Sequence, residues 1–163
     1  MSLNNKTYDQ FLQELAGKES KDQPDNGYGA ENNFYYLGKY QMGESALMDA
    51  GYYTRNGDNT KTNDWIGQWT GRDEVWSKKD FKESHQAQEN AIRLYQDKVW
   101  GYIKARGYDK YVGQNINGVE ITSSGLLAGY HLKGLGGLCD FLVKGIDVTD
   151  ANGTKISSYI REC

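Results

Sequence analysis

The sequence predicts a mainly α domain with one small hairpin or irregular excursion around residues 52–80. Apolar residues recur at helical spacing in several separate stretches. No stretch repeats another, and no linker-like composition divides them. The length, 163 residues, is that of one domain, so one core over 1–163 is expected.

The first element opens at Thr7-Tyr8-Asp9-Gln10, which has the form of a capping box, and Tyr8, Phe11, Leu12, Leu15 and Ala16 then follow at helical spacing. A helix is predicted over about 8–19. Residues 20–36 contain Pro24, Asp25-Asn26-Gly27 and Gly29 without a sustained period, which reads as a long loop, and loops of that length are usually functional. Ala46, Leu47 and Ala50 mark a short second helix that Gly51 can end. In the excursion, Arg55-Asn56-Gly57-Asp58-Asn59 is a turn signal, and Trp65, Trp69 and Trp76 stand among polar residues. Asp80 and Glu83 allow a further capping arrangement. Beyond them Ala91, Ile92, Tyr95, Val99, Tyr102 and Ile103 form the stripe of the longest helix, ended by Gly107. Thr122-Ser123-Ser124 can cap a helix through Leu126, Leu127 and Tyr130, and Leu135, Leu138, Cys139 and Leu142 mark another that Gly145 stops. A last short helix surrounds Ile156, Tyr159 and Ile160.

Composition excludes several classes. Hydrophobic residues are 37% of the chain and aromatic residues 13%, including 13 Tyr and 4 Trp, too many for a disordered tail. No apolar run approaches the roughly 20 residues of a membrane span. Nineteen basic residues against 22 acidic ones, with no basic block, remove the footprint of a nucleic-acid binder. The N-terminal segment has no basic and apolar halves of a secretory signal, so export would need another route. Cys139 and Cys163 are too few for a disulfide framework and lack CxxC spacing. His85 and His131 stand alone and no HExxH pattern occurs, so neither a metal nor another cofactor is expected. Gly134-Leu135-Gly136-Gly137 follows a helix rather than a strand and lacks a Gly-Lys-Ser/Thr ending, so a helix-turn reading dominates over a phosphate loop and no nucleotide is assigned.

One carboxylate stands out. Continuing the first helix's stripe from Leu15 and Ala16 by four and three positions reaches Glu19, so an acid occupies the apolar face at the helix end. Desolvation there would keep it protonated near neutral pH, as a general acid requires. Alternatively the helix stops at Ala16-Gly17 and leaves Glu19 a solvated loop carboxylate.

Glu19-Ser20, then a polar turn-rich loop, then Leu37-Gly38-Lys39-Tyr40-Gln41-Met42 before the second helix, is an order that resembles the lytic transglycosylase branch of the lysozyme-like superfamily. The resemblance implies a lysozyme-like α+β fold, Glu19 as catalytic acid, and a sugar cleft lined by Ser20, Gly38, Gln41 and Met42. The family's third element, Ala-Tyr-Asn-Ala-Gly-x-Gly, falls on Tyr130-His131-Leu132-Lys133-Gly134-Leu135-Gly136, where the glycines match and Leu132 replaces the Asn. Phage-associated and secreted muramidase-like proteins look similar here and in Asp150-Ala151-Asn152-Gly153-Thr154.

Cleavage of a glycosidic bond needs a proton donor at the leaving oxygen and stabilisation of an oxocarbenium-like transition state. In a transglycosylase one carboxylate serves as acid and then as base. A hydrolase would want a second, for which Asp22, Asp25, Glu31 and Glu44 are available and Glu31 is the best placed; each also suits a turn, surface or helix-start position. Tyr40 and Tyr130 offer faces for stacking on sugars, with His131 beside Tyr130, and Trp65, Trp69 and Trp76 are weaker candidates. The expectation is a monomeric enzyme that cleaves the β-1,4 bond of peptidoglycan between N-acetylmuramic acid and N-acetylglucosamine. It would act at the bacterial cell wall after lysis, phage injection or delivery by a secretion system, with an immunity or inhibitor protein as a further partner. A hydrolytic muramidase on the same fold and a non-catalytic glycan-binding module are the alternatives.

Overall fold

The computed structural model describes residues 7–55 and 62–162. The turn signal at 56–59 and Cys163 lie outside the described residues. Among the described residues the α-helices and β-strands follow in the order α1 (Tyr8–Ser20), α2 (Glu44–Asp49), β1 (Tyr53–Thr54), β2 (Gln68–Trp69), α3 (Lys78–Glu83), α4 (His85–Ala105), β3 (Asn115–Ile116), β4 (Val119–Glu120), α5 (Ser123–Leu142) and α6 (Ile156–Glu162). The fold is mainly helical with two small antiparallel hairpins, an α-rich α+β arrangement. None of the described helices is long and apolar enough to cross a membrane.

The described residues fall into two compact units, residues 7–15 with 99–162, and residues 16–55 with 62–98. Helices α1 and α4 each contribute to both.

In the first unit the capping box is made reciprocally. Thr7 N donates to Gln10 Oε1 at 2.9 Å, and Gln10 N donates to Thr7 Oγ1 at 3.1 Å. Thr122 caps α5 by accepting from Gly125 N at 2.8 Å. Helix α5 breaks at Gly134, where φ is 66°, so the two helices expected here follow one another across a single residue. Helices α5 and α6 pack on each other because Gly125 and Gly129 have no side chain where Ile160 approaches; a Cβ at Gly125 would lie 2.6 Å from Ile160 O. The β3–β4 hairpin was missed in the sequence. Its signal is Asn117-Gly118, both at positive φ, set between Ile116 and Val119.

In the second unit Tyr53 pairs with Trp69 and Thr54 with Gln68, so the excursion over 52–80 does contain a hairpin. At the start of α3 Ser77 Oγ accepts from Asp80 N at 3.0 Å and Asp80 Oδ2 accepts from Trp76 N at 2.9 Å, so Asp80 does take part in the cap, and at the start of α4 Ser84 Oγ accepts from Ala87 N at 3.1 Å. Helix α4 is the longest of the described helices, with 21 residues. Leu37, Leu47, Tyr52, Phe81, Ala91 and Ile92, all at 0% exposure, form this unit's core. Each large apolar side chain so buried contributes about 1.5–3 kcal/mol against solvation in the unfolded chain.

Candidate functional site

Helix α1 reaches Ser20, so Glu19 is helical and half-buried rather than part of a frayed loop. The loop that follows is more ordered than its composition implies. Gly38 N donates to Ala30 O at 2.8 Å and Asn32 N to Tyr36 O at 3.2 Å, while Leu37 and Met42 exchange both backbone hydrogen bonds at 3.0 and 2.8 Å. The backbone therefore folds into three short extended rungs at Glu31, Leu37 and Met42. Residues 38–41 form the tight turn between the last two.

That turn is fastened to the end of α1. Ser20, 4% exposed, donates its hydroxyl to Lys39 O at 2.7 Å. Within the turn Gln41 Nε2 donates to Gly38 O at 2.9 Å, with Gln41 itself at positive φ and 8% exposed. Gly38 has φ +81°, and a Cβ there would lie 2.3 Å from Gln88 Oε1, so the position demands glycine on both counts. The expectation that these residues line a cleft is corrected for Tyr40 and Met42. At 2% and 1% exposure they belong to the core, and Tyr40 spends its hydroxyl on Glu89 rather than offering a ring face to a sugar. Ser20, Gly38 and Gln41 likewise use their polar atoms to build the turn.

Helix α4 supplies two residues that sequence reasoning missed. Gln88, 1% exposed, accepts from Lys39 N at 2.9 Å and donates to Tyr28 O at 3.0 Å and Phe81 O at 2.9 Å. Glu89 receives the hydroxyls of Tyr28 at 2.8 Å and Tyr40 at 2.9 Å, and pairs with Lys39 at 3.3 Å and Arg93 at 3.1 Å. Burial by itself would raise the Glu89 carboxyl, but its phenol and cation partners together hold it below the usual range. Burial first, and then Glu89, push the Tyr40 phenol far upward, so it stays a donor. The available signal was the polar pair Gln88-Glu89 beside Ala87 and Ala91 at the buried face of a helix.

The other carboxylates have separate surroundings. Glu31 pairs with Lys78 and Lys82, both at 3.1 Å, at one side of an open depression of about 750 Å³ that Asp25, Gly29 and Ser77 also line. Burial would raise the Glu31 carboxyl, yet the two lysines outweigh it and hold the group below the ordinary value of 4.5. That environment suits a permanently ionised partner and weakens a base that must take a proton from water. Asp25 meets His85 Nε2 at 2.5 Å. Asp22 is an exposed turn residue at positive φ. Glu44 is 1% exposed and accepts from Asp64 N at 3.0 Å. The structure thus commits Glu31 to an ion-pair role at neutral pH. With its carboxyl lowered on folding, the contribution is present above pH 4.5 and lost as pH falls through the folded value. Thermal melts between pH 3 and 7 should show a smaller acid-side drop for Glu31→Gln than for the wild type; parallel curves would remove the ion pairs from the account.

Among the tryptophans, Trp65 stacks on Trp69 with ring centres 5.6 Å apart, and Tyr53 meets both edge-on. Trp65 Nε1 donates to Tyr35 O at 2.9 Å. Trp76 is 62% exposed. The third sequence element lies in α5, in the first unit, where Tyr130 and His131 are half-buried and Tyr130 meets the Tyr102 ring at 6.4 Å. Asp150 Oδ1 accepts from Asn152 N and Thr154 N, closing the 150–154 segment as a tight turn. Among the described residues no group of three or more His, Cys, Asp or Glu side chains could hold a metal ion.

The second unit therefore gathers Glu19, Ser20, the 38–42 turn and Glu31, with Gln88 and Glu89 behind the turn. Compared with known proteins, the chain matches no family model, and no curated protein and no solved structure matches it either.

Proposed function

We propose that this chain cleaves the β-1,4 bond between N-acetylmuramic acid and N-acetylglucosamine in peptidoglycan, acting as a lytic transglycosylase with Glu19 as its acid and base. The observation that carries the reading is the tie between the two sequence elements: Ser20, next to Glu19, bonds directly to the Gly38–Gln41 turn. A helix-end carboxylate beside an ordered, internally satisfied turn is the rigid support that proton transfer to a leaving oxygen needs.

In this reading Glu19 protonates the glycosidic oxygen as the bond to the anomeric carbon breaks. The resulting carboxylate then takes the proton from the muramyl 6-hydroxyl as that oxygen closes on the same carbon. No water enters and no second carboxylate is required. Glu31, whose carboxyl Lys78 and Lys82 hold below its ordinary value, is a weaker base toward water, which supports this route. The same reading puts the site of action at the bacterial cell wall, with glycan strands as the partner.

Mass analysis of muropeptides released from purified sacculi tests it. The expected products carry 1,6-anhydromuramic ends, lighter by one water than the hydrolytic products. Reducing ends would replace the transglycosylase with a hydrolytic muramidase. Glycan binding without any product would leave a non-catalytic module, with Leu132 in place of the family Asn as the first residue to restore.

A further inference from the structure

We propose that Glu89 is a positioning residue for the Glu19 site: from α4 it holds Tyr40, and through Tyr40 the Gly38–Gln41 turn, in the register on which Ser20 and Glu19 depend. The inference rests on the reading of Glu19 as the acid.

Consecutive residues of α4 grip one turn at two heights. Gln88 takes the backbone, through Lys39 N, and Glu89 takes the side chains, receiving Tyr40 Oη at 3.0 Å on one oxygen and 2.9 Å on the other. Tyr28, Lys39 and Arg93 supply the remaining donors. A carboxylate has about four lone-pair sites, and these contacts fill them, so Glu89 is occupied as an anchor and keeps none for a substrate. Tyr40 is equally unsuited to touching a sugar, since only 2% of it is exposed. What the pair controls is the backbone between Gly38 and Gln41, whose Lys39 carbonyl receives the Ser20 hydroxyl at 2.7 Å. The path from Glu89 to Glu19 thus runs through a phenol, one turn and one serine, each with its polar atoms satisfied. Loosening its far end displaces the acid by a fraction of an ångström, and a misplacement of about 1 Å can cost on the order of 10²-fold in rate.

The test uses the full chain, a soluble peptidoglycan oligosaccharide, and Glu89→Gln, Tyr40→Phe and the double variant. The expected result is a kcat lowered by about 10–100-fold in each single variant with KM within about twofold, and a double variant no worse than the weaker single one, as coupled residues give. Amide resonances of Ser20 and Lys39 should move in both single variants, read without substrate. If Glu89→Gln does not fold, Tyr40→Phe, which deletes one oxygen, decides by the same two readouts. Wild-type kcat with unmoved Ser20 and Lys39 resonances overturns the proposal, as does a lowered melting temperature with unchanged kcat. Should Glu19→Gln cleave as well as the wild type, the acid assignment fails on its own. The amide resonances then still decide whether Glu89 holds the turn.

Discussion

Glu19→Gln is expected to retain the fold and to lose at least 10²–10⁴-fold of its wall-cleaving activity, the range that general acid–base catalysis typically supplies. The amide is close to the carboxyl in size, so the helix end that carries it, with Ser20 bonded to Lys39 O, has no steric reason to move. It cannot give up a proton to the leaving oxygen and recover one from the 6-hydroxyl. Activity should be followed as loss of turbidity of purified sacculi, with circular dichroism and a thermal melt showing that the variant is folded. A folded Glu19→Gln with turnover comparable to the wild type would sink the assignment. A fall in turnover that tracks a fall in melting temperature would make Glu19 a structural residue of the helix end.

The elements legible from sequence were those specified by neighbours along the chain. Thr7 with Gln10, the stripe leading to Glu19, Gly51 after α2 and the break at Gly134 are all local chemistry, and the structure makes each of them with local contacts. The loop after Ser20 was hidden because its order comes partly from single-residue rungs too short to show an alternating pattern and partly from a partner far along the chain. Asn32, Gly38 and Met42 find backbone partners across the rungs, and Gln88 reaches Lys39 from 49 positions away. The same distance hid Glu89, whose partners Tyr28 and Tyr40 are 61 and 49 positions off. Aromatic residues misled in a consistent way. A ring in a polar sequence reads as a sugar-stacking surface, but Tyr40 is buried with its hydroxyl satisfied by a carboxylate that no short-range pattern pairs with it. Glu31 was singled out as the best-placed second carboxylate of a hydrolase, while the two lysines that pair with it lie on α3, 47 and 51 positions downstream and no short-range pattern links them to it.

Replacing Gly38 by alanine is expected to destabilise the second unit strongly. Two costs add. The backbone sits at φ +81°, a region that costs an L-residue roughly 1–2 kcal/mol. The new Cβ would also stand 2.3 Å from Gln88 Oε1 and 2.8 Å from its Cδ. Gln88 cannot swing aside freely, because its Nε2 is already donating to Tyr28 O and Phe81 O. Moving it breaks the bond from Lys39 N and leaves buried polar groups unpaired, at about 1–3 kcal/mol. The total, on the order of 3 kcal/mol, is large against a stability of roughly 5–15 kcal/mol. Gly107→Ala separates the two costs, since Gly107 has φ +72° with no atom within 4 Å of its added Cβ. Urea unfolding should show a midpoint shift for Gly38→Ala well beyond that for Gly107→Ala. Equal shifts would mean that backbone conformation alone is felt and that Gln88 yields at no cost. The grip of α4 on the turn would then be too weak to hold the Lys39 carbonyl against Ser20.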